Sequence, residues 1–396
     1  MRRISVDERR ARIGRRHRLA PSAQAAGPVQ AAESVVALHG TDPATVHLSV
    51  AARVPGSEVA VTERALYDDR TLMRMLGMRR TVFVVPTGFA PVVQAACTDD
   101  IAIKQRKLLV KHLTEAGIAR DDEAALRWLR GVEESTATAL ALRGSATAAE
   151  LSADEPRLRT RLALAQGKSY AAEPYVTSRV LFQLAAEGRI VRGRPLGTWL
   201  SGQHQWSPAD RWLPGGASDK PSADEAREEL ARAWLGAFGP GTMADLQWWA
   251  GWNAGQTKKA LAAVSAVEVE LDGGIGHVLP GDVDAEPEPE PWVALLPGLD
   301  PTPMGWKERD WYLGGHKSQL FDSTGNVGPS IWANGRIVGG WGQPESGEVR
   351  IKLLEDIGAE AAAAVEVEAA RWTSWLAGVR VTPRFRSPLE RVLSTS

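Results

Sequence analysis

The feature that most constrains this chain is a pattern rather than a single residue: three short helical segments closed by a two-stranded hairpin, at residues 222–280. Ser222 precedes a helix in which Ala226, Leu230, Ala233, Trp234 and Ala237 recur at helical spacing. Gly239-Pro240-Gly241 breaks it. Thr242 caps a second short helix ended by Gly251, and GQTKKALAAV makes a third that carries Lys258 and Lys259. VEVELDGGIGHVLP then alternates about Gly273-Gly274, as a β-hairpin does. Three helices and a hairpin make the winged-helix pattern.

The pattern recurs upstream. In residues 121–206 a long helix ends at Gly144, Thr147 caps a short one, and YVTSRVLFQLAAEG carries the stripe Val176, Val180, Leu181 and Leu184 with Arg179 near its edge. GRIVRGRP and LGTWLSG follow as two expected strands, with Arg189, Arg192 and Arg194 at or beside their turn. An apolar helix leading into a basic hairpin has the form of a recognition helix and its wing, although a merely solvated hairpin reads the same way. The first copy is less regular. A helix is expected from about Val29 to Leu38, a break at Gly40-Thr41-Asp42, and a second helix from Pro43 to about Arg53. MRRTVFVVP reads as a strand, and residues 87–118 read as helical.

PGGASDKPS at 214–222 reads as a breaker-rich connection, and PGDVDAEPEPEP at 280–291 as an acidic, extended and solvated linker. Asn334-Gly335 between two apolar runs signals a further hairpin. The expected architecture is α+β: three tandem winged-helix units followed by a small C-terminal β-barrel or sheet with a closing helix. Its expected divisions are 1–118, 119–213, 222–280 and 291–396.

Charge is unevenly divided. The chain carries 47 Lys and Arg against 48 Asp and Glu, a net of −1. Residues 1–220 hold 32 against 23, a net of +9, and the remainder holds 15 against 25, a net of −10. Eight arginines fall among the first eighteen residues, so an Arg-rich arm is expected to meet phosphates, with Arg12, Arg15 and Arg16 in contact. One cysteine, Cys97, excludes an internal disulfide and a Cys-rich zinc site. The histidines do not cluster at metal-ligand spacing, so neither a metal nor another cofactor is expected. No membrane-length apolar run or signal-peptide core is present, which suits a cytoplasmic, nucleoid-associated monomer acting on double-stranded DNA. Most of the 15 tryptophans sit where a helix needs a core residue.

Residues 35–54, VVALHGTDPATVHLSVAARV, together with MRRTVFVVP, AFGPGTMADLQWWAG, LLPGLDPTPMGWKERDW and GNVGPSIWANGRIVGGW, resemble the winged-helix DNA glycosylases of the YcaQ/AlkZ type in kind and order. The resemblance implies hydrolysis of the N-glycosidic bond of bulky alkylated or crosslinked purines. It also implies a Gln-x-Gln or Gln-x-Asp pair that positions water beside the sugar C1′. Here the pair falls on His39 and Thr41, with Asp42 following, so the sequence departs from the family's chemistry at its centre. Neutral His39 can accept a proton, Thr41 can hold water and Asp42 can supply negative charge for an oxocarbenium-like transition state. The same residues also fit helix punctuation, with Thr41 or Asp42 a cap and Pro43 a first-turn residue. Arg53 and Arg80 align with family positions. Arg179, Arg192, Arg194, Lys258 and Lys259 complete the expected DNA contacts. A non-catalytic winged-helix DNA-binding protein is the alternative reading.

Overall fold

Among the described residues four helices begin with a reciprocal cap, in which a side chain accepts from the third helical N–H while that residue's side chain reaches back. The pairs are Thr147 with Glu150, Ser222 with Glu225, Thr242 with Asp245, and Asn253 with Gln256. Three of these four open the helices of the 222–280 segment, which is why its pattern is the most legible. A computed structural model describes residues 1–163, 172–213 and 220–395. Most of the expected 214–222 connection lies outside the described residues.

The fold is mixed α+β. Helices α1 Val6–Arg16 and α2 Pro28–Glu33 lead to the two-residue strand β1 Leu38–His39, then α3 Pro43–Ala51 and α4 Val59–Glu63. Strands β2 Leu72–Leu76 and β3 Val82–Pro86 complete a three-stranded sheet of order β1-β3-β2. The expected helix from Val29 to Leu38 therefore stops at Glu33. Val36 takes a positive φ of 65°, and Leu38 and His39 pair with Val84 and Phe83 instead of continuing the helix. A β-branched residue at positive φ is incompatible with helix, and the unused N–H and C=O groups of β3 reward pairing.

Helix α5 Ala90–Val93 runs through a π turn, Gln94–Thr98, into α6 Asp99–Glu115. Next come α7 Asp122–Arg143, α8 Ala148–Asp154 and α9 Thr177–Ala186, closed by the hairpin of β4 Ile190–Pro195 and β5 His204–Pro208. The second strand expected at LGTWLSG is instead the connection, and β5 is HQWSP. From there Trp199 and Leu200 pack against the C-terminal core. Helices α10 Ala223–Phe238, α11 Met243–Ala250 and α12 Ala254–Ala263 precede the hairpin of β6 Val267–Leu271 and β7 Gly274–Val278.

The C-terminal part is a four-stranded antiparallel sheet of linear order β11-β10-β9-β8, built from β8 Val293–Leu296, β9 Ser330–Ala333, β10 Arg336–Gly342 and β11 Arg350–Leu353. Asn334 (φ 47°) and Gly335 (φ 80°) form the β9–β10 turn, as the sequence predicts. Two short helices, α13 Asp310–Leu313 and α14 Lys317–Leu320, lie in the β8–β9 connection. Helix α15 Ala359–Leu376 closes the sheet, and α16 Pro388–Thr395 follows. One hydrophobic cluster joins residues from Ile13 to Leu393, whereas Leu109 to Trp206 form a separate one.

Candidate active site and nucleic-acid interface

The turn His39-Gly40-Thr41-Asp42 is fixed at both ends. The Gly40 N–H donates to Val82 O at 2.8 Å. A Cβ at Gly40 would crowd Val82 and Phe83 at 3.3 Å, so glycine suits this close backbone approach. At the other end Asp42 caps α3, with Oδ1 accepting from Ala44 N–H at 3.1 Å. Its Oδ2 accepts from the Arg384 N–H at 2.9 Å. The punctuation reading of Asp42 is thus physically present, and the break joins a strand to a helix rather than two helices.

His39 is buried against Phe83, ring centroids 5.4 Å apart. Burial first, and the nearby Arg79 charge second, push its pKa down to about 3. The imidazole is therefore neutral near pH 7 and a weak base, not the near-neutral-pKa acceptor expected from an unperturbed histidine. Thr41 N–H points at His39 Nδ1 over 3.5 Å, which favours the Nε2–H tautomer. Thr41 is half-buried, and its hydroxyl makes no hydrogen bond among the described residues. Behind the turn, Ser49, Arg53 and Thr302 surround the buried carboxylate of Asp300. Arg53 grips it in a two-pronged pair at 2.9 and 2.8 Å, and Ser49 Oγ donates at 2.7 Å.

The expected phosphate contacts divide sharply. Arg53 is fully buried on Asp300 and cannot reach a phosphate. Arg12, 2% exposed, donates to Glu8 and to the carbonyls of Asp282 and Asp284. Arg16 binds Glu286, Asp282 and the Gly236 and Gly239 carbonyls. Ile4 N–H donates to Glu270 O, adding the N-terminus to the β6 edge. The arm is therefore an internal helix held by the acidic linker, and that linker is pinned rather than freely extended. Arg15 lies half-buried beside it without an ion pair among the described residues.

Arg194 pairs with Glu63 and Asp68, and Lys259 with Asp224. Lys258 is exposed and has no ion pair among the described residues. Arg80 is exposed, 5.1 Å over the Phe182 ring, beside half-buried Arg179. Arg192 lies over Trp206 at 5.6 Å; burial, and then the charges of Arg74 and Arg384, lower it to about 10.

Four arginines absent from the sequence reading, Arg74, Arg79, Arg309 and Arg384, also have no carboxylate partner among the described residues. Their scatter along the chain gave no local signal, and only folding brings Arg79 to Arg309 and both Arg74 and Arg384 to Arg192. The single thiol, Cys97, is buried with Sγ 3.6 Å from Ala250 O, and burial pushes it up to about 12. Among the described residues no group of His, Cys, Asp or Glu could hold a metal, and no helix is long and apolar enough to cross a membrane.

Residues 32–375 match the family model described as DNA glycosylase AlkZ-like. Over 130 residues the chain is 28% identical to the interstrand DNA cross-link repair glycosylase of Streptomyces sahachiroi. That stretch is 31% of this chain and spans only 35% of the relative. The solved structure of the Streptomyces sahachiroi DNA glycosylase AlkZ superposes with a TM-score of 0.73 at 22% identity, over 96% of this chain and 99% of that one. The two share a fold.

Proposed function

We propose, from the premise that this chain belongs to the DNA glycosylase AlkZ-like family, that it is a monofunctional glycosylase for bulky alkylated or crosslinked purines in double-stranded DNA. It would act as a cytoplasmic, nucleoid-associated monomer without a metal or other cofactor. The observation that carries the reading is the uncommitted Thr41 hydroxyl, held beside neutral His39 and the Asp42 carboxylate on a turn tied down at both ends. A cationic N-alkylpurine already leaves readily, so the protein need only hold water and place negative charge near the emerging oxocarbenium.

In this reading Thr41 Oγ1 holds the water. His39 donates from Nε2 and orients it rather than taking its proton, because its basicity is low. Asp42 supplies the charge from the helix cap. We read the three helix–hairpin segments, within 1–118, 119–213 and 222–280, as winged helices, and 291–396 as the C-terminal domain with its closing helix. Phosphate contact falls to Arg15, Arg80, Arg179, Arg192 and Lys258, the members of the expected set that are not held by internal carboxylates.

Abasic-site formation on a duplex with one N7-methylguanine, compared between wild type, His39→Ala, Thr41→Val and Asp42→Asn, tests this. Release lost in Thr41→Val supports the water-holding role. Binding without release in the wild type overturns the enzyme in favour of the non-catalytic DNA-binding reading. That second reading draws on Asp42, both of whose oxygens already accept backbone N–H groups.

A further inference from the structure

The β2–β3 turn carries an unusual pair. Arg79 and Arg80 both hold left-handed backbone, φ 53° and 61°, a conformation that costs an L-residue and persists where its surroundings impose it. The turn is immediately followed by Thr81 and Val82, and Val82 O is the acceptor that fixes Gly40. Arg79 therefore sits beside the candidate active-site turn by covalent connection as well as by fold. On its other side Gly251, φ 77°, lets the α11 terminus approach so closely that a Cβ there would lie 3.2 Å from Arg79 N.

The side chain is as unusual as the backbone. Arg79 is half-buried, its Nε is buried without a hydrogen-bond partner, and no carboxylate pairs with it among the described residues. Its guanidinium lies 3.9 Å over the half-buried Trp248 ring. A second cation, Arg309, lies 4.9 Å over the same ring, with Nε donating to Trp306 O and again no carboxylate partner. Two like charges on one indole repel each other. An isolated buried guanidinium is costly unless an anion or a hydrogen-bond acceptor joins it. On Arg12, Arg16 and Arg53 the molecule supplies that partner from its own acids. Here it supplies an aromatic platform and leaves the donors over.

We propose that Arg79 and Arg309, gathered on Trp248, form a seat for a single DNA phosphodiester, the one flanking the nucleotide whose C1′ faces the His39–Thr41 turn. The planar guanidinium fork suits phosphate oxygens, and the ring fixes its plane before DNA arrives. The seat is assembled from the first sheet, α11 and the 306–310 segment, so it forms only in the folded chain. This inference rests on the glycosylase reading for the identity of the flanked nucleotide, but not for the presence of an anion site.

The test is phosphate interference. Duplexes carrying one N7-methylguanine and a single uncharged methylphosphonate, placed in turn at each nearby backbone position, are titrated with wild type, Arg79→Met, Arg309→Met and the double variant. Thermal melts confirm that each variant folds. Wild type is expected to lose about ten-fold in affinity at one flanking position, the scale of one charge-assisted contact. The double variant is expected to be weaker on native DNA by a similar factor, to show a salt slope shallower by one to two phosphates, and to lose nothing more at that position. Equal further loss by the double variant at every position overturns the seat. Interference without base release keeps the seat and sinks the glycosylase reading. Base release with unchanged interference does the reverse, and absence of duplex binding by the wild type overturns both.

Discussion

The N-terminal helix and the surroundings of the His39 turn are both rich in arginine, yet they treat it oppositely. In α1 the arginines are crowded in sequence, and Arg12 and Arg16 are neutralised in space by Glu8, Asp282, Glu286 and a row of backbone carbonyls. Around the turn, Arg74, Arg79, Arg80, Arg179, Arg192, Arg309 and Arg384 are scattered over more than three hundred positions and meet no carboxylate among the described residues. Density in sequence is therefore a poor guide to available charge. What matters is whether the fold brings an acid to each guanidinium.

Acid should strain the whole comparison most. Burial holds His17, His39 and His47 each down to about 3 in the folded chain, against about 6.5 when unfolded. The unfolded chain thus binds more protons below pH 6.5, and stability falls as pH drops from there towards 3. The linkage is about 2 kcal/mol per histidine at pH 5, full stability returning above pH 7. Chemical denaturation at pH 5 and pH 7.5 measures it, and a pH-independent midpoint would contradict the burial of these rings.

Next in size is the Arg53–Asp300 pair. Arg53→Met leaves a buried carboxylate alone and should lower unfolding free energy by roughly 3–5 kcal/mol. Smaller again, Arg12→Ala should lower stability by about 1.5–3 kcal/mol, the range for hydrogen bonds to charged groups, without changing the salt slope of duplex binding. A shallower slope for that variant would restore the arm to the DNA surface. Smallest in energy but most discriminating, Arg80→Ala should melt like wild type while reducing the slope by about one phosphate, read by titrations from low to moderate salt.

Much of the architecture is legible because local signals agree with each other. Capping boxes, Gly251 and Asn334-Gly335 mark the 222–280 segment and the β9–β10 turn in sequence, and the backbone follows them. The failures share a cause. Leu38 and His39 become a strand because β3, forty-five residues on, offers a ladder. LGTWLSG becomes a connection because Trp199 and Leu200 find a core contributed by α15. The site divides in the same manner. His39, Thr41 and Asp42 fall on one turn and are visible as a motif. The burial that strips His39 of basicity, and the Arg384 N–H that occupies Asp42, come from distant segments.

The lone thiol has a practical consequence. Cys97 lies where the π turn before α6 meets the end of α11, and Trp252 Nε1 donates to the neighbouring Ala96 O across the same seam. At neutral pH almost none of it is thiolate, and no reagent reaches it in the closed molecule. Its modification by a maleimide therefore becomes a clock. The labelling rate counts how often that seam parts, with no engineered probe and a single site to read.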